Sequence, residues 1–325
     1  MNKILIELPI DFGHTQEGKY SPQGQSNAPQ LLNRFFQEEL NITSLPTLKI
    51  PILSPHREET RESPMKFDRE MHNAISSATG AILRRIKDNQ FPVILGGDHS
   101  VSLATVCALS QILKGKTKIG AIVFDAHTDF NLPGKVVPKE KKENIPPGFT
   151  ISGNIHGMVH SLLGRLVESP SFRISKYCNK YSRLDPSRIA LLGVRSKQYP
   201  QLDETLKRAG CMVVSSEKIH NSNNQEREKI LTDALQHATL NFQEPFYFSL
   251  DCDVLDPEDF PGVATPVPNG LGFDALSKSL EVFRKAPSFY QMVRAVEIVE
   301  YCPEKDVHDH KGARKLVKVL RNLLF

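Results

Sequence analysis

The chain has 325 residues, of which 39% are hydrophobic and 24% are charged, and its formal net charge is +4. These values are typical of a globular protein in solution, and the small net charge gives no support to a nucleic-acid-binding function. No apolar run is long enough for a membrane span, and the five cysteines form no CxxC pair, so we expect a reduced, cytoplasmic protein with neither membrane nor nucleic-acid partners.

Short apolar runs alternate along the chain with longer helical patterns. The strand candidates are residues 3–8, 47–53, 91–95, 119–124, 188–194, 211–215, 246–250 and 293–299. The helical patterns cover residues 28–40, 64–89, 101–113, 225–241, 270–284 and 312–324, with another after residue 157 that extends to 167. This alternation predicts an α/β fold with a mostly parallel sheet and helices on both faces. No linker clearly divides the chain, so we expect a single domain over residues 1–325.

Polar residues follow four of the predicted strands. In chain order they are His99, then Asp125, His127 and Asp129, then Asp251 and Asp253, and finally Glu300. Because the carboxyl ends of parallel strands lie at one edge of the sheet, we expect these side chains to converge there.

Converging carboxylates repel one another and are costly to desolvate, so a cation is expected among them. The four aspartates carry enough charge to balance two divalent ions. Together with two imidazoles they form a donor set too rich in oxygen for a structural zinc site, and they suit manganese or another borderline divalent metal. Two ions about 3.5–4 Å apart can share a bridging hydroxide, which is a nucleophile at neutral pH.

Three segments of the sequence resemble the signature motifs of the ureohydrolases, the family that includes arginase, agmatinase and formiminoglutamase. They are Gly96-Gly97-Asp98-His99-Ser100, Asp125-Ala126-His127-Thr128-Asp129 and Ser249-Leu250-Asp251-Cys252-Asp253-Val254-Leu255-Asp256-Pro257. Their order and spacing match this family over nearly the whole chain. Within the family, residues 125–131 and 152–157 are most similar to the metal loop of the arginases and the segment after it. The resemblance implies a three-layer α/β/α fold with a mostly parallel central sheet of about eight strands. It also implies a hydrolase that cleaves a guanidino substrate, with L-arginine converted to L-ornithine and urea as the expected reaction.

The resemblance further implies two Mn²⁺ ions per subunit. One ion would be held by His99, Asp125, Asp129 and Asp251, and the other by His127, Asp125, Asp251 and Asp253.

Catalytic roles follow from the same resemblance. A metal-bridging hydroxide would attack the guanidinium carbon, and Asp129 would help to take up its proton. His156 would assist proton transfer to the leaving amine, and Glu300 would pair with the guanidinium group.

Four further positions match residues that bind the substrate in arginases. Asn131 and Ser152 would hold the α-carboxylate, and Thr265 would line the pocket. Gln198, like Ser196, stands where arginases carry acids that bind the α-amino group, and it offers a hydrogen-bond acceptor without a charge. The loop between Asn131 and Ser152 is longer than in typical arginases; we interpret it as surface, although a lid or an oligomer contact would also fit.

These departures leave several functions open. The same chemistry could act on agmatine, a guanidino acid or N-formimino-L-glutamate. The residues also permit a non-catalytic, metal-binding family member, or a zinc deacylase of related architecture, which would hold a single metal. Relatives of this kind are commonly trimers or hexamers, so we expect a homo-oligomer.

Overall fold

A computed structural model describes residues 2–15, 24–41, 45–53, 55, 63–87, 90–113, 117–136, 149–150, 152–167, 171–195 and 200–324. Within these residues, no helix combines the length and the apolar character that crossing a membrane would require.

The centre of the molecule is an eight-stranded sheet in which all neighbouring strands are parallel. Its strands are β1 (Asn2–Leu8), β2 (Thr47–Lys49), β3 (Gln90–Gly96), β4 (Ile119–Phe124), β7 (Leu184–Val194), β8 (Met212–Ser215), β9 (Phe246–Asp251) and β10 (Val293–Val299). The order across the sheet is β2-β1-β3-β10-β9-β4-β7-β8. Two further strands of two residues each, β5 (Lys135–Val136) and β6 (Phe149–Thr150), form a separate parallel pair.

Helices lie on both faces of the sheet. They are α1 (Ala28–Leu40), α2 (Asp68–Lys87), α3 (Ser102–Ile112), α4 (Val159–Leu163), α5 (Arg173–Tyr181), α6 (Pro200–Ala209), α7 (Ser216–Asn221), α8 (Asn224–Thr239), α9 (Phe273–Lys285), α10 (Pro287–Met292) and α11 (Val307–Leu324).

The side chains of each central strand alternate between two apolar cores. In β4, Ile122 and Phe124 pack in one core with helices α1, α8, α9 and α11, whereas Ala121 and Val123 pack in the other with α2, α3, α4 and α5. Because both faces of β4 are buried, its sequence is a continuous apolar run. The predicted three-layer α/β/α fold with a parallel sheet is therefore confirmed.

Some predicted elements differ in extent. The strand predicted over residues 47–53 ends at Lys49. The Leu5 N–H donates to Pro46 O and the Ile50 N–H donates to Glu7 O, so the next donor toward Ile50 O would be the N–H of residue 9, and Pro9 has none. The pattern predicted to run from after residue 157 to 167 is an α-helix only over Val159–Leu163. The sequence analysis did not predict α5, α6, α7 and α10, each of ten residues or fewer. Helices this short owe their stability to packing, and their sequences carry little periodicity.

Candidate metal centre

The four strands predicted to end in polar clusters are neighbours at the middle of the sheet. Their order is β3-β10-β9-β4, and the residues that follow them lie at the same edge. Because the chain leaves each of these strands at that edge, side chains up to about two hundred positions apart in sequence meet there. The predicted convergence is confirmed.

His99 lies at the centre of one group of carboxylates. Its Nδ1 is 3.2 Å from Asp125 Oδ2, 2.9 Å from Asp129 Oδ2 and 3.3 Å from Asp251 Oδ2. All four side chains are buried or nearly so. Within the described residues, neither His99 Nδ1 nor Asp125 Oδ2 has a hydrogen-bond partner of acceptable geometry. One imidazole nitrogen and three carboxylate oxygens therefore face a common point.

A second group shares Asp125 with the first. His127 Nδ1 is 2.9 Å from Asp253 Oδ2 and 3.6 Å from Asp125 Oδ1. Asp125 thus turns one oxygen toward each group, which is the arrangement of a carboxylate that bridges two cations. Ligand atoms of His99, Asp125 and Asp251 lie within 4.8 Å of one another, as do those of Asp125, His127 and Asp253, so each set of three could ligate one ion.

Backbone amides hold the aspartates in place. Asp125 Oδ1 accepts a hydrogen bond from the His127 N–H at 2.6 Å, and Asp251 Oδ1 accepts one from the Asp253 N–H at 2.9 Å. Asp253 Oδ1 accepts the Ala126 N–H at 3.1 Å and so ties the end of β9 to the end of β4. Asp129 has a φ of 51°, a left-handed conformation that non-glycine residues seldom adopt. Such conformations are concentrated at functional sites.

The ionisation of these groups reflects their mutual contacts. Burial and neighbouring carboxylates raise the pKa of both Asp251 and Asp129. For Asp125, burial raises the pKa, but its contacts with His127 and His99 outweigh burial and lower the pKa. Burial lowers the pKa of His99 and His127, yet the carboxylates around them hold both well above the usual range. Protons on the two imidazoles therefore offset the carboxylate charge of the metal-free protein, and a divalent cation would displace them.

A divalent metal fits this donor set. The two groups offer imidazole nitrogen and carboxylate oxygen as ligands. His99 Nδ1 and Asp125 Oδ2, which lack hydrogen-bond partners within the described residues, both belong to the first group and would be satisfied by a cation. No thiolate takes part, since Cys252, between two of the aspartates, packs in the apolar core. Borderline and hard cations such as Mn²⁺ prefer these ligands over the sulfur-rich set of structural zinc.

Glu300 and His156 form an ion pair beside the metal groups. His156 Nδ1 is 3.1 Å from Glu300 Oε1, and the same oxygen accepts the His99 N–H at 2.8 Å. Burial lowers the pKa of His156, but the hydrogen bond and charge of Glu300 outweigh it and raise the pKa to about 9. In Glu300, burial raises the pKa, but its contacts with His156 prevail and lower it to about 2. The side chains of His156 and His127 are 15% and 29% exposed, so the site opens to solvent on their side.

The structure describes three of the four residues predicted to bind substrate. Asn131 lies next to the segment that carries His156, because its N–H donates to Gly157 O at 3.0 Å. Ser152 Oγ accepts a hydrogen bond from the Asn154 N–H at 3.2 Å. Thr265 donates through Oγ1 to Asp253 Oδ2 at 3.0 Å, so it supports a candidate metal ligand. Gln198, like Ser196, lies outside the described residues.

Three residues at the site received no role in the sequence analysis. The ring of His14 lies against that of His156, with centroids 4.6 Å apart and the planes tilted by 37°, and the amide of Gln25 donates to Glu300. The Arg195 guanidinium donates to the carbonyls that follow β9, including Asp253 O at 2.7 Å. His14 and Gln25 come from a segment rich in Gly, Ser, Gln and Pro, whose composition gives no signal beyond that of a loop. Their one clue is that the segment follows β1, a neighbour of β3 in the sheet.

Comparison with known proteins relates the whole chain to one group. A family model described as "Arginase family" matches residues 5–325. The curated arginase of Bacillus subtilis (strain 168) is 27% identical, over 98% of this chain and 96% of that protein.

Solved structures give the same result for the fold. The structure of Bacillus caldovelox arginase matches with a TM-score of 0.79 at 24% identity and covers 99% of this chain and 98% of that chain. The Entamoeba histolytica arginase determined in complex with L-ornithine matches with a TM-score of 0.75 at 22% identity, over 98% of this chain and 96% of that chain.

Proposed function

Because the chain belongs to the arginase family, we propose that it is a dimanganese ureohydrolase that converts L-arginine to L-ornithine and urea. The observation that carries the proposal is the pair of ligand groups joined by Asp125, with the Glu300–His156 ion pair beside them. The names of the relatives at 27% identity and below support arginine as the substrate.

In the proposed centre, His99, Asp125, Asp129 and Asp251 hold one Mn²⁺, and His127, Asp125, Asp251 and Asp253 hold the other. When bound, the two ions lower the pKa of water and so supply a nucleophile at neutral pH.

The ion pair beside the metals performs the positioning and the proton transfer. Glu300 is buried and anionic, so it attracts the cationic guanidinium and orients its carbon toward the metal groups. His156, with a pKa raised to about 9, carries a proton at neutral pH that it can donate to the leaving amine. Asp129, whose Oδ2 lies 2.9 Å from His99 Nδ1, is the carboxylate proposed to take up a proton during the reaction.

Recognition of the amino-acid part of the substrate is proposed for Asn131, Ser152 and Gln198. The backbone contact between the Asn131 N–H and Gly157 O, one residue after His156, supports this proposal for Asn131. Thr265 supports the site through Asp253 in this scheme.

A guanidine panel tests the proposed reaction. The manganese-loaded protein is incubated with L-arginine, agmatine, a guanidino acid and N-formimino-L-glutamate, and urea and formamide are measured separately. Release of urea and L-ornithine from L-arginine at the highest kcat/KM is the expected result. No turnover of L-arginine, with turnover of another member, would reassign the substrate within the family. Binding of two metals without turnover of any member would indicate a non-catalytic protein.

The metal and the assembly are tested separately. Mass spectrometry of the purified protein is expected to find two Mn ions per chain, whereas a single zinc ion would support a deacylase. Light scattering is expected to show a homo-oligomer, a trimer or a hexamer, as is common among relatives of this kind.

A further inference from the structure

Gln25 makes a buried contact with the carboxylate proposed to bind the guanidinium. Its side chain is fully buried, in the single 3₁₀ turn that precedes α1, and its Nε2 donates a hydrogen bond to Glu300 Oε2. A carboxylate can only accept, so the NH₂ group of the amide must face Glu300. The orientation of the amide is therefore fixed by its partner, and Oε1 points elsewhere.

Glu300 is already close to its capacity as an acceptor. Oε1 accepts the His99 N–H at 2.8 Å and lies 3.1 Å from His156 Nδ1, and Oε2 accepts the Gln25 amide. An ionised carboxylate offers about four lone-pair positions, so about one remains, on Oε2. A guanidinium with two terminal NH₂ groups usually binds a carboxylate through two parallel hydrogen bonds. Glu300 alone cannot supply both.

The other end of the Gln25 amide is an unused acceptor. Gln25 Oε1 is buried and has no hydrogen-bond partner within the described residues. It belongs to the same amide that contacts Glu300 Oε2, so the two free acceptor positions are neighbours. Buried carbonyl oxygens are rarely left unpaired, and a donor that arrives with a ligand relieves the cost.

The backbone keeps Gln25 in this position. Gly24 has a φ of +80°, a conformation that favours glycine, and the turn lies against the side chain of Glu304, in the segment after β10. Helix α1 begins three residues after Gln25, with Ala28 and Pro29 buried in its first turn. The acceptor is thus held ready before any ligand binds, which is the condition for an efficient positioning group.

We propose that Gln25 is a specificity-determining residue: its Oε1 accepts a hydrogen bond from one terminal NH₂ group of the substrate while the free site of Glu300 accepts from the other. The inference rests on the proposed function in that it assigns the guanidinium to Glu300. It predicts a preference for guanidinium groups, which carry two terminal NH₂ groups, over formimidoyl groups, which carry one.

Replacement of Gln25 by leucine tests the assignment, with Gln30→Leu on the exposed surface of α1 as the matched control. We expect Gln25→Leu to reduce kcat/KM for the guanidino substrate that the wild type prefers by at least about tenfold more than for N-formimino-L-glutamate, as expected for the loss of a hydrogen bond to a charged group. The inhibition constant of L-ornithine, which has no guanidinium, should change less than twofold. An equal fall in kcat/KM for both substrates, with metal content unchanged, would overturn the proposal.

A binding measurement separates this inference from the proposed reaction. Calorimetry with methylguanidinium needs no turnover, so it remains informative if the wild type hydrolyses none of the panel. We expect the affinity to fall at least about tenfold in Gln25→Leu and to stay unchanged in Gln30→Leu. Equal affinity in the wild type and Gln25→Leu would refute the role of Gln25, whichever substrate the enzyme uses.

Discussion

At the scale of single residues, Asp125 is the side chain on which both candidate metal groups depend. One of its oxygens lies 3.2 Å from His99 Nδ1 and the other 3.6 Å from His127 Nδ1. Asp253, by contrast, belongs to the His127 group alone. The two aspartates are therefore not equivalent in the geometry of the two groups.

Neutral substitutions should expose this difference. Asp125→Asn is expected to lower the affinity for both manganese ions by at least about 100-fold. Mutation of residues that only hydrogen-bond to metal ligands already lowers metal affinity 10–100-fold. Asp253→Asn should lower the affinity only for the ion next to His127. Metal content after dialysis, measured by mass spectrometry, distinguishes the two, and retention of two ions by Asp125→Asn would contradict the shared-ligand arrangement.

The Glu300–His156 pair gives a second prediction at this scale. In the metal-free protein the pKa of His156 is raised to about 9, because the contact with Glu300 outweighs burial. In Glu300→Gln the carboxylate that opposes the effect of burial is lost, so the pKa of His156 should fall to its ordinary value of 6.5 or below. NMR titration of labelled histidine rings measures the shift. His237 on α8 serves as a control, because its lowered pKa arises from burial and should not respond.

The same pair makes the stability of the metal-free protein depend on pH. The folded pKa of His156 lies above its unfolded value of 6.5, so its contribution is complete below pH 6.5 and is lost as the pH rises through about 9. The folded pKa of Glu300 lies below its unfolded value of 4.5, so its contribution is complete above pH 4.5 and is lost as the pH falls through about 2. Both contributions are therefore complete between pH 4.5 and 6.5.

At the scale of secondary-structure elements, the turn after β3 joins three segments that form the site. The Gly97 N–H donates to Leu8 O at 3.2 Å, and Gly97 O accepts the Glu300 N–H at 2.7 Å. The next residue, Asp98, accepts from the N–H groups of Ser100 and His14 at 2.9 and 3.1 Å. The turn thus fixes His99 and Glu300 relative to each other.

Alanine at position 97 should disturb this turn. A Cβ there would lie 2.0 Å from Ile10 O, a backbone atom that cannot move away without displacing the chain after β1. We expect Gly97→Ala to reduce the free energy of unfolding by about 3 kcal/mol and to lower metal content.

Gly80→Ala is the matched control for this substitution. Gly80 lies within α2, and the nearest atom to its Cβ is Arg84 Nη1 at 3.7 Å, so alanine should stabilise the protein by up to about 1 kcal/mol. Urea unfolding measures both variants. A loss of stability in Gly80→Ala equal to that in Gly97→Ala would show that steric contact at the turn is not the cause.

At the scale of the whole molecule, the metal centre joins strands from the middle of the sheet, so metal binding and folding are coupled. Unfolding separates β3 and β4, which precede His99 and Asp125, from β9, which ends at Asp251, and so destroys the site. A ligand that binds only the folded state stabilises it, by about 2.7 kcal/mol per site when its free concentration is 100 times Kd.

Manganese should therefore raise the Tm, and a chelator should reverse the change. Calorimetry of the wild type with and without Mn²⁺ measures the effect, and Asp125→Asn should lose most of it. A Tm that does not depend on manganese in the wild type would argue against binding to the folded state alone. Because the imidazoles of His99 and His127 must release protons when metal binds, the shift should also be smaller at low pH.

The sequence by itself determined the fold class and the candidate ligands. A parallel sheet brings the carboxyl ends of all its strands to one edge, so residues such as His99, Asp125 and Asp251 could be assigned to one site from their position after apolar runs. Because β4 is buried on both faces, its sequence is a continuous apolar run, and the strand Ile119–Phe124 was predicted with the correct bounds.

Only the tertiary structure decided how these residues divide their contacts. That β10 lies between β3 and β9, that each oxygen of Asp125 faces a different histidine, and that Thr265 supports Asp253 depend on strand order and side-chain direction. Gln25 and Glu300 are 275 positions apart, and neither strand periodicity nor a local motif links them. Sequence patterns record which residues face the core or follow a strand, whereas contacts between distant segments arise when the whole sheet assembles.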